Sequence, residues 1–161
     1  MSTQRVGEKA SLTMVGDRQF RVERAFPAPR ERVFAAYIDP EMIPHYWGPR
    51  GTTTRVDELD ARPGGRWRFV GISPDGSEAA FRGVYREVTP SERIVQTFEW
   101  EGMPGYVSVD SAEFQDRGDG TTLVVSTTTF HMPEEREGMI QSGMESGMND
   151  LFDRLEELLS A

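Results

Sequence analysis

Asp39-Pro40-Glu41-Met42-Ile43-Pro44-His45-Tyr46-Trp47-Gly48-Pro49, followed by Arg62-Pro63-Gly64-Gly65-Arg66-Trp67-Arg68-Phe69, decides how this chain folds. The first stretch stops a helix, because Val33, Phe34, Tyr37 and Ile38 recur at helical spacing up to Asp39-Pro40. It then makes a second short turn and ends in an aromatic corner at Tyr46-Trp47. The second stretch is a glycine turn that opens a strand, with Trp67 and Phe69 on one face and Arg66, Arg68 and Val70 on the other. Large rings, turns and no evident catalytic group build the wall of a cavity more naturally than a reaction centre.

Upstream, Asp17–Phe26 alternates, with Phe20, Val22, Arg24 and Phe26 on one parity. Pro27 and Pro29 stop that strand, and Pro29 suits the first turn of the helix that follows. Residues 1–16 are polar and aperiodic and read as a flexible N-terminal arm or an added edge strand. Downstream the pattern keeps period two. Strands are expected at 52–59, 66–72, 78–88, 93–100, 106–115 and 121–130, separated by turn signals such as Ser73-Pro74-Asp75-Gly76 and Asp116–Gly120.

From Pro133 to Ser160 the period becomes helical, through Ile140, Met144, Met148, Leu151, Leu155 and Leu158. One long helix is expected, with Glu134, Glu135 and Glu137 complementing its positive end. Gly138, Gly143 and Gly147 sit oddly inside it, each costing about 1 kcal/mol against alanine. Either the helix starts late, near Met139, or the glycines allow a close approach to a sheet or room for a ligand. The element order implies an α+β domain over 17–161, an antiparallel sheet curved around the C-terminal helix, with the two short helices closing one end.

Composition bounds the function. The chain has 161 residues and a net charge of −9, and residues 132–161 alone hold 8 acidic against 2 basic side chains. An acidic surface repels phosphate backbones, so neither nucleic acid nor an anionic membrane is the expected partner. There is no cysteine, which excludes disulfides and thiolate chemistry. Lys9 is the only lysine and lies near the N-terminus, which argues against Schiff-base chemistry. No apolar run approaches the roughly 18 residues of a membrane span, and the N-terminal residues lack a signal peptide's apolar core. A cytoplasmic protein, monomer or homodimer, is the expectation.

The segments Val33–Pro40, Tyr46–Pro49, Arg62–Phe69, Gly83–Pro90 and Glu92–Val95 resemble the bacterial relatives of the C-terminal domain of the activator of the Hsp90 ATPase. That family lies in the START-like (SRPBCC) helix-grip superfamily with polyketide cyclases and Bet v 1 proteins. The resemblance runs from about residue 18 to the C-terminus. It implies a seven-stranded antiparallel sheet gripping the terminal helix. It does not fix a function, because the superfamily hosts lipid binders, cyclases and chaperone regulators. The eukaryotic activator's additional N-terminal domain has no counterpart before the first expected strand, so the chaperone-activating role, with its link to the stress response, does not transfer with the fold.

Candidate chemistry is sparse. His45 and His131 are read as ordinary polar or capping residues, and no metal or cofactor is expected. Glu99, Asp110 and Glu113 are read as solvent-facing strand charges, and Arg66, Arg68, Arg82 and Arg86 as convex-face residues. The ring set is the better lead. Trp47, Trp67 and Phe69, with Phe81, Tyr85, Phe98 and Trp100, are expected on one concave surface, faced by Met139, Met144 and Met148. The same residues would serve equally as solid core. The first functional expectation is a non-catalytic site for a small hydrophobic or amphipathic molecule. The alternatives are a regulator of an Hsp90-type chaperone, contacting it through the acidic helix, and a cyclase- or hydrolase-type enzyme.

Overall fold

A computed structural model describes residues 3–161. Eight strands form one antiparallel sheet in the order β1-β2-β8-β7-β6-β5-β4-β3. They are β1 Ser11–Val15, β2 Gln19–Phe26, β3 Thr53–Leu59, β4 Arg66–Ile72, β5 Glu78–Thr89, β6 Arg93–Trp100, β7 Val107–Asp116 and β8 Thr122–Thr129. Helix α1, Arg30–Ile38, and a single 3-10 turn, Ile43–His45, follow β2, and α2, Pro133–Gln141, and α3, Met144–Ser160, end the chain. Among the described residues no helix is long and apolar enough to cross a membrane.

Two expectations need correction. The sheet has eight strands rather than seven, because Ser11–Val15 pairs with Gln19–Glu23 at the edge. The residues before it are tied down as well: the Ala10 amide donates to Asn149 Oδ1 and the Gly7 amide to Glu156 Oε1. The terminal helix is also two helices, not one. Gly143 takes φ +83, a left-handed conformation that glycine adopts at no steric cost, and it ends the run begun at Pro133. The break falls between Ile140 and Met144, whose helical spacing hides it in the sequence.

Two irregularities bend the sheet. Register shifts fall between Val56 and Glu58 in β3 and between Tyr85 and Glu87 in β5. Such bulges add local twist, which curls the sheet so that its concave face receives α3. That helix contributes Phe152, Leu155 and Leu159 to the core. Ring contacts fix the closed end: Phe26 meets Phe152 at 5.8 Å, and Phe114 meets Phe34 and Tyr37 at 5.4 and 5.0 Å. Of the arginines expected on the convex face, three pair with acidic neighbours, Arg68 with Glu101 and Asp57, Arg82 with Glu99 and Arg66 with Glu58, and Arg86 is exposed. Arg24 is the exception. Its parity points it inward, where it is 1% exposed, pairs with Asp153 at 2.9 Å and Glu156 at 3.2 Å, and lies over the rings of Phe26 and Phe152.

One glycine is required by packing. Gly83 pairs across the sheet with Trp67, and a Cβ added there would lie 2.0 Å from the Thr97 carbonyl oxygen and 2.4 Å from Trp67 Nε1. Gly83→Ala is expected to destabilise the protein by about 1–3 kcal/mol through overpacking. Urea unfolding checks this, and an unchanged midpoint would refute the close approach.

Candidate functional site

The concave face of the sheet and α3 do not fill the space between them. A cavity of about 570 Å³ remains, a size typical of small-molecule pockets. One wall is a chain of rings in mostly tilted or edge contact. Trp47 meets Phe69 at 5.3 Å and Phe81 at 5.2 Å, Trp67 meets Phe69 at 4.8 Å, and Phe81 stacks on Phe98 at 5.5 Å. Trp67, Phe69 and Tyr85 are buried, and the Trp67 Nε1 donates to the Thr97 carbonyl at 3.2 Å. The opposite wall is supplied by Met139 at the end of α2 and by Met144, Gly147, Met148 and Leu151 of α3. Unbranched methionine adapts its shape, so this wall is the more compliant one.

The glycines have separate reasons. Gly143 makes the break that sets Met139 and Met144 on different helices. Gly147 lines the cavity, and a Cβ there would meet Pro49 at 3.5 Å, an ordinary contact. Nothing lies within 4 Å of a Cβ at Gly138, so no packing requirement explains that glycine.

Nine of the ten residues singled out in the sequence line the cavity: Trp47, Trp67, Phe69, Phe81, Tyr85 and Phe98 on one side and Met139, Met144 and Met148 on the other. Trp100 does not. It is 42% exposed, and a Cβ on Gly102 would meet its ring at 2.4 Å, so the indole lies over the β6–β7 turn. Its parity matches that of Phe98, and its cross-strand partner Phe81 lines the cavity, but it stands at the strand's last residue, where its ring packs against the turn.

The floor between the walls is polar, and this was not expected. Cross-strand register aligns Tyr85, Gln96, Asp110, Thr128 and Phe20 in one row across five strands. Asp110, read from the sequence as a solvent-facing charge, lines the cavity instead. Its Oδ1 accepts from the Thr128 hydroxyl at 2.8 Å. Burial pushes its carboxyl up to about 6, with the Thr128 bond pulling the other way. The neighbours Glu99 and Glu113 do face outward, paired with Arg82 and Arg93. The missed signal was parity: Asp110 alternates in phase with Ala112 and Phe114, against Glu113. Burial also pushes the hydroxyls of Tyr37, Tyr46 and Tyr85 upward. Tyr46 donates to the Ala36 carbonyl at 2.9 Å, whereas the buried Tyr37 hydroxyl meets no partner among the described residues.

No group of three His, Asp or Glu side chains suited to a metal occurs among the described residues. Asp153, Glu156 and Glu157 on the acidic helix are engaged by Arg24 and Arg50.

A family model described as Activator of Hsp90 ATPase homolog 1-like protein matches residues 27–160. No curated protein matches the chain. Among solved structures, a Rhodobacter sphaeroides protein superposes with a TM-score of 0.88 at 20% identity, covering 95% of this chain and 99% of that one. Protein Ms6760 from Mycobacterium smegmatis gives 0.81 at 24% identity, covering 94% and 98%. A Silicibacter pomeroyi protein whose name places it in the matched family gives 0.72 at 22% identity, covering 88% and 97%. At these identities the structural likenesses establish the helix-grip fold and nothing finer.

Proposed function

From the premise that this chain belongs to the Activator of Hsp90 ATPase homolog 1-like family, we propose that it binds a small hydrophobic or amphipathic molecule between its sheet and α3, without catalysis. The observation that carries the reading is the unfilled space of about 570 Å³, walled by rings and methionines. The hollow is partly open to solvent, so its apolar rings and methionines are presented to a guest rather than sealed in a close-packed core. Apolar surface removed from water there yields roughly 25 cal/mol per Å² before ordering costs.

Filling the cavity tests the reading. Met148→Trp adds bulk to a partly buried, cavity-lining position. It is expected to weaken binding of the neutral dye N-phenylnaphthylamine by about tenfold or more while leaving the urea midpoint nearly unchanged. A dye that fails to bind the wild type, or binds the variant equally well, overturns the proposal. Native mass spectrometry of protein from its own host would then name the physiological occupant.

The family description raises chaperone regulation as a second reading, but no feature of the site favours it. The acidic face of α3, its natural contact surface, spends carboxylates on Arg24 and Arg50. An enzymatic reading would need a second titratable group poised beside Asp110, and the nearest polar neighbours in its row are Gln96 and Thr128.

A further inference from the structure

Resting on the binding reading above, we infer that the cavity selects a cationic aromatic or amphipathic amine, whose ammonium is held by Asp110 while its apolar body lies against the rings. Among the described residues Asp110 is the only acidic one lining the cavity, and no arginine, lysine or histidine lines it. The titratable groups facing it are Tyr37 of α1, Tyr46 of the following turn and Tyr85 of β5, all held neutral by burial. The α2 and α3 residues on the opposite wall are Met139, Met144, Gly147, Met148, Leu151 and Phe152, none of which titrates.

The carboxylate therefore has no countercharge among the described residues lining the cavity. Its one hydrogen bond occupies Oδ1, and Oδ2 accepts none among the described residues. A partly buried ionised carboxylate, set in a cavity whose walls are mostly apolar, gains from an ion partner. A guest ammonium supplies that partner through a charge-assisted bond. Gln96, next in the row, has no side-chain hydrogen bond among the described residues and offers its amide oxygen to a further N–H. A guest carboxylate meets the opposite situation, because it would bring a second negative charge to a site without a cation. Fatty acids and aryl carboxylates are thus disfavoured guests.

The test compares tryptamine, tryptophol and indole-acetate by isothermal titration. These share an indole and end in an ammonium, a hydroxyl and a carboxylate. Tryptamine is expected to bind more than about tenfold tighter than indole-acetate at pH 8, with tryptophol between them. Asp110→Asn keeps the size and the Thr128 bond, and is expected to remove most of the tryptamine preference while its circular dichroism spectrum stays that of the wild type. In the wild type, tryptamine affinity is expected to fall as pH drops through about 6, where Asp110 takes up a proton. Equal binding of the three ligands, or a tryptamine preference that survives Asp110→Asn, overturns the inference and leaves the binding reading standing if the dye still binds. Failure of the dye as well overturns both.

Discussion

Replacing Trp67 by alanine is expected to destabilise the protein by about 3–5 kcal/mol, the range for losing a buried tryptophan. The indole is 2% exposed, touches Phe69 and Phe98 at centroid distances of 4.8 and 6.1 Å, and donates to the Thr97 carbonyl at 3.2 Å. Truncation removes all of this and leaves that carbonyl short of a donor. The void would join the existing cavity, so the surrounding rings would have little to collapse against. For a chain of this length the loss corresponds to roughly 10 °C in melting temperature. Trp67→Phe keeps the ring contacts and loses the hydrogen bond, so its loss should be nearer 1 kcal/mol. Urea and thermal unfolding read both values. A loss below 1 kcal/mol for alanine would mean that the ring wall does not hold the sheet's curvature.

The second large effect has the opposite sign. Asp110→Asn is expected to stabilise the empty protein at pH 8, by on the order of 3 kcal/mol at about 1.4 kcal/mol per pH unit. The carboxyl moves from its ordinary 3.8 up to about 6 on folding. A group whose folded value is raised binds its proton more tightly in the native state. Its contribution is fully present below the unfolded value and is lost as pH rises through the folded one. The difference between variant and wild type should therefore be near zero below pH 4, grow between pH 4 and 6, and level off above. Asparagine still accepts from Thr128, so the change isolates the charge. Denaturant titrations at several pH values check this, and a stabilisation that does not vary with pH would sink it.

The strands were legible because period two survives in each of them. Arg66–Ile72 and Arg93–Trp100 are bounded in the structure as alternation places them. Concave and convex faces follow from the same parity, which is why Trp67, Phe69, Phe81, Tyr85 and Phe98 meet at the cavity. Three features were not legible, for different physical reasons. The break at Gly143 depends on a backbone angle, and the spacing of Ile140, Met144 and Met148 continues through it undisturbed. The position of Trp100 depends on the turn that follows it, since its ring packs against Gly102 at the strand's end, which alternation along one strand cannot report. Asp110 was visible by parity but hidden by residue type, since carboxylates seldom point inward unpaired. The cavity itself is a difference between enclosed space and side-chain volume, a quantity set by bulges at Val56/Glu58 and Tyr85/Glu87 rather than by any local pattern.

The buried guanidinium of Arg24 gives α3 two mechanically unlike halves. Asp153 and Glu156 are clamped to β2 through it, with Phe26 and Phe152 stacked about the joint. The opening turns, from Met144 to Met148, carry no ion pair among the described residues and begin at a glycine elbow, the first ties beyond them being Asn149 to the Ala10 amide and Asp150 to the Arg50 amide. A bulkier occupant would accordingly be accommodated by yielding at the methionine end, like a jaw hinged at its far extremity, while the sheet keeps its shape. Breadth of choice in size would then coexist with strictness in charge, because the part that gives way and the part that discriminates sit on opposite sides of the same hollow.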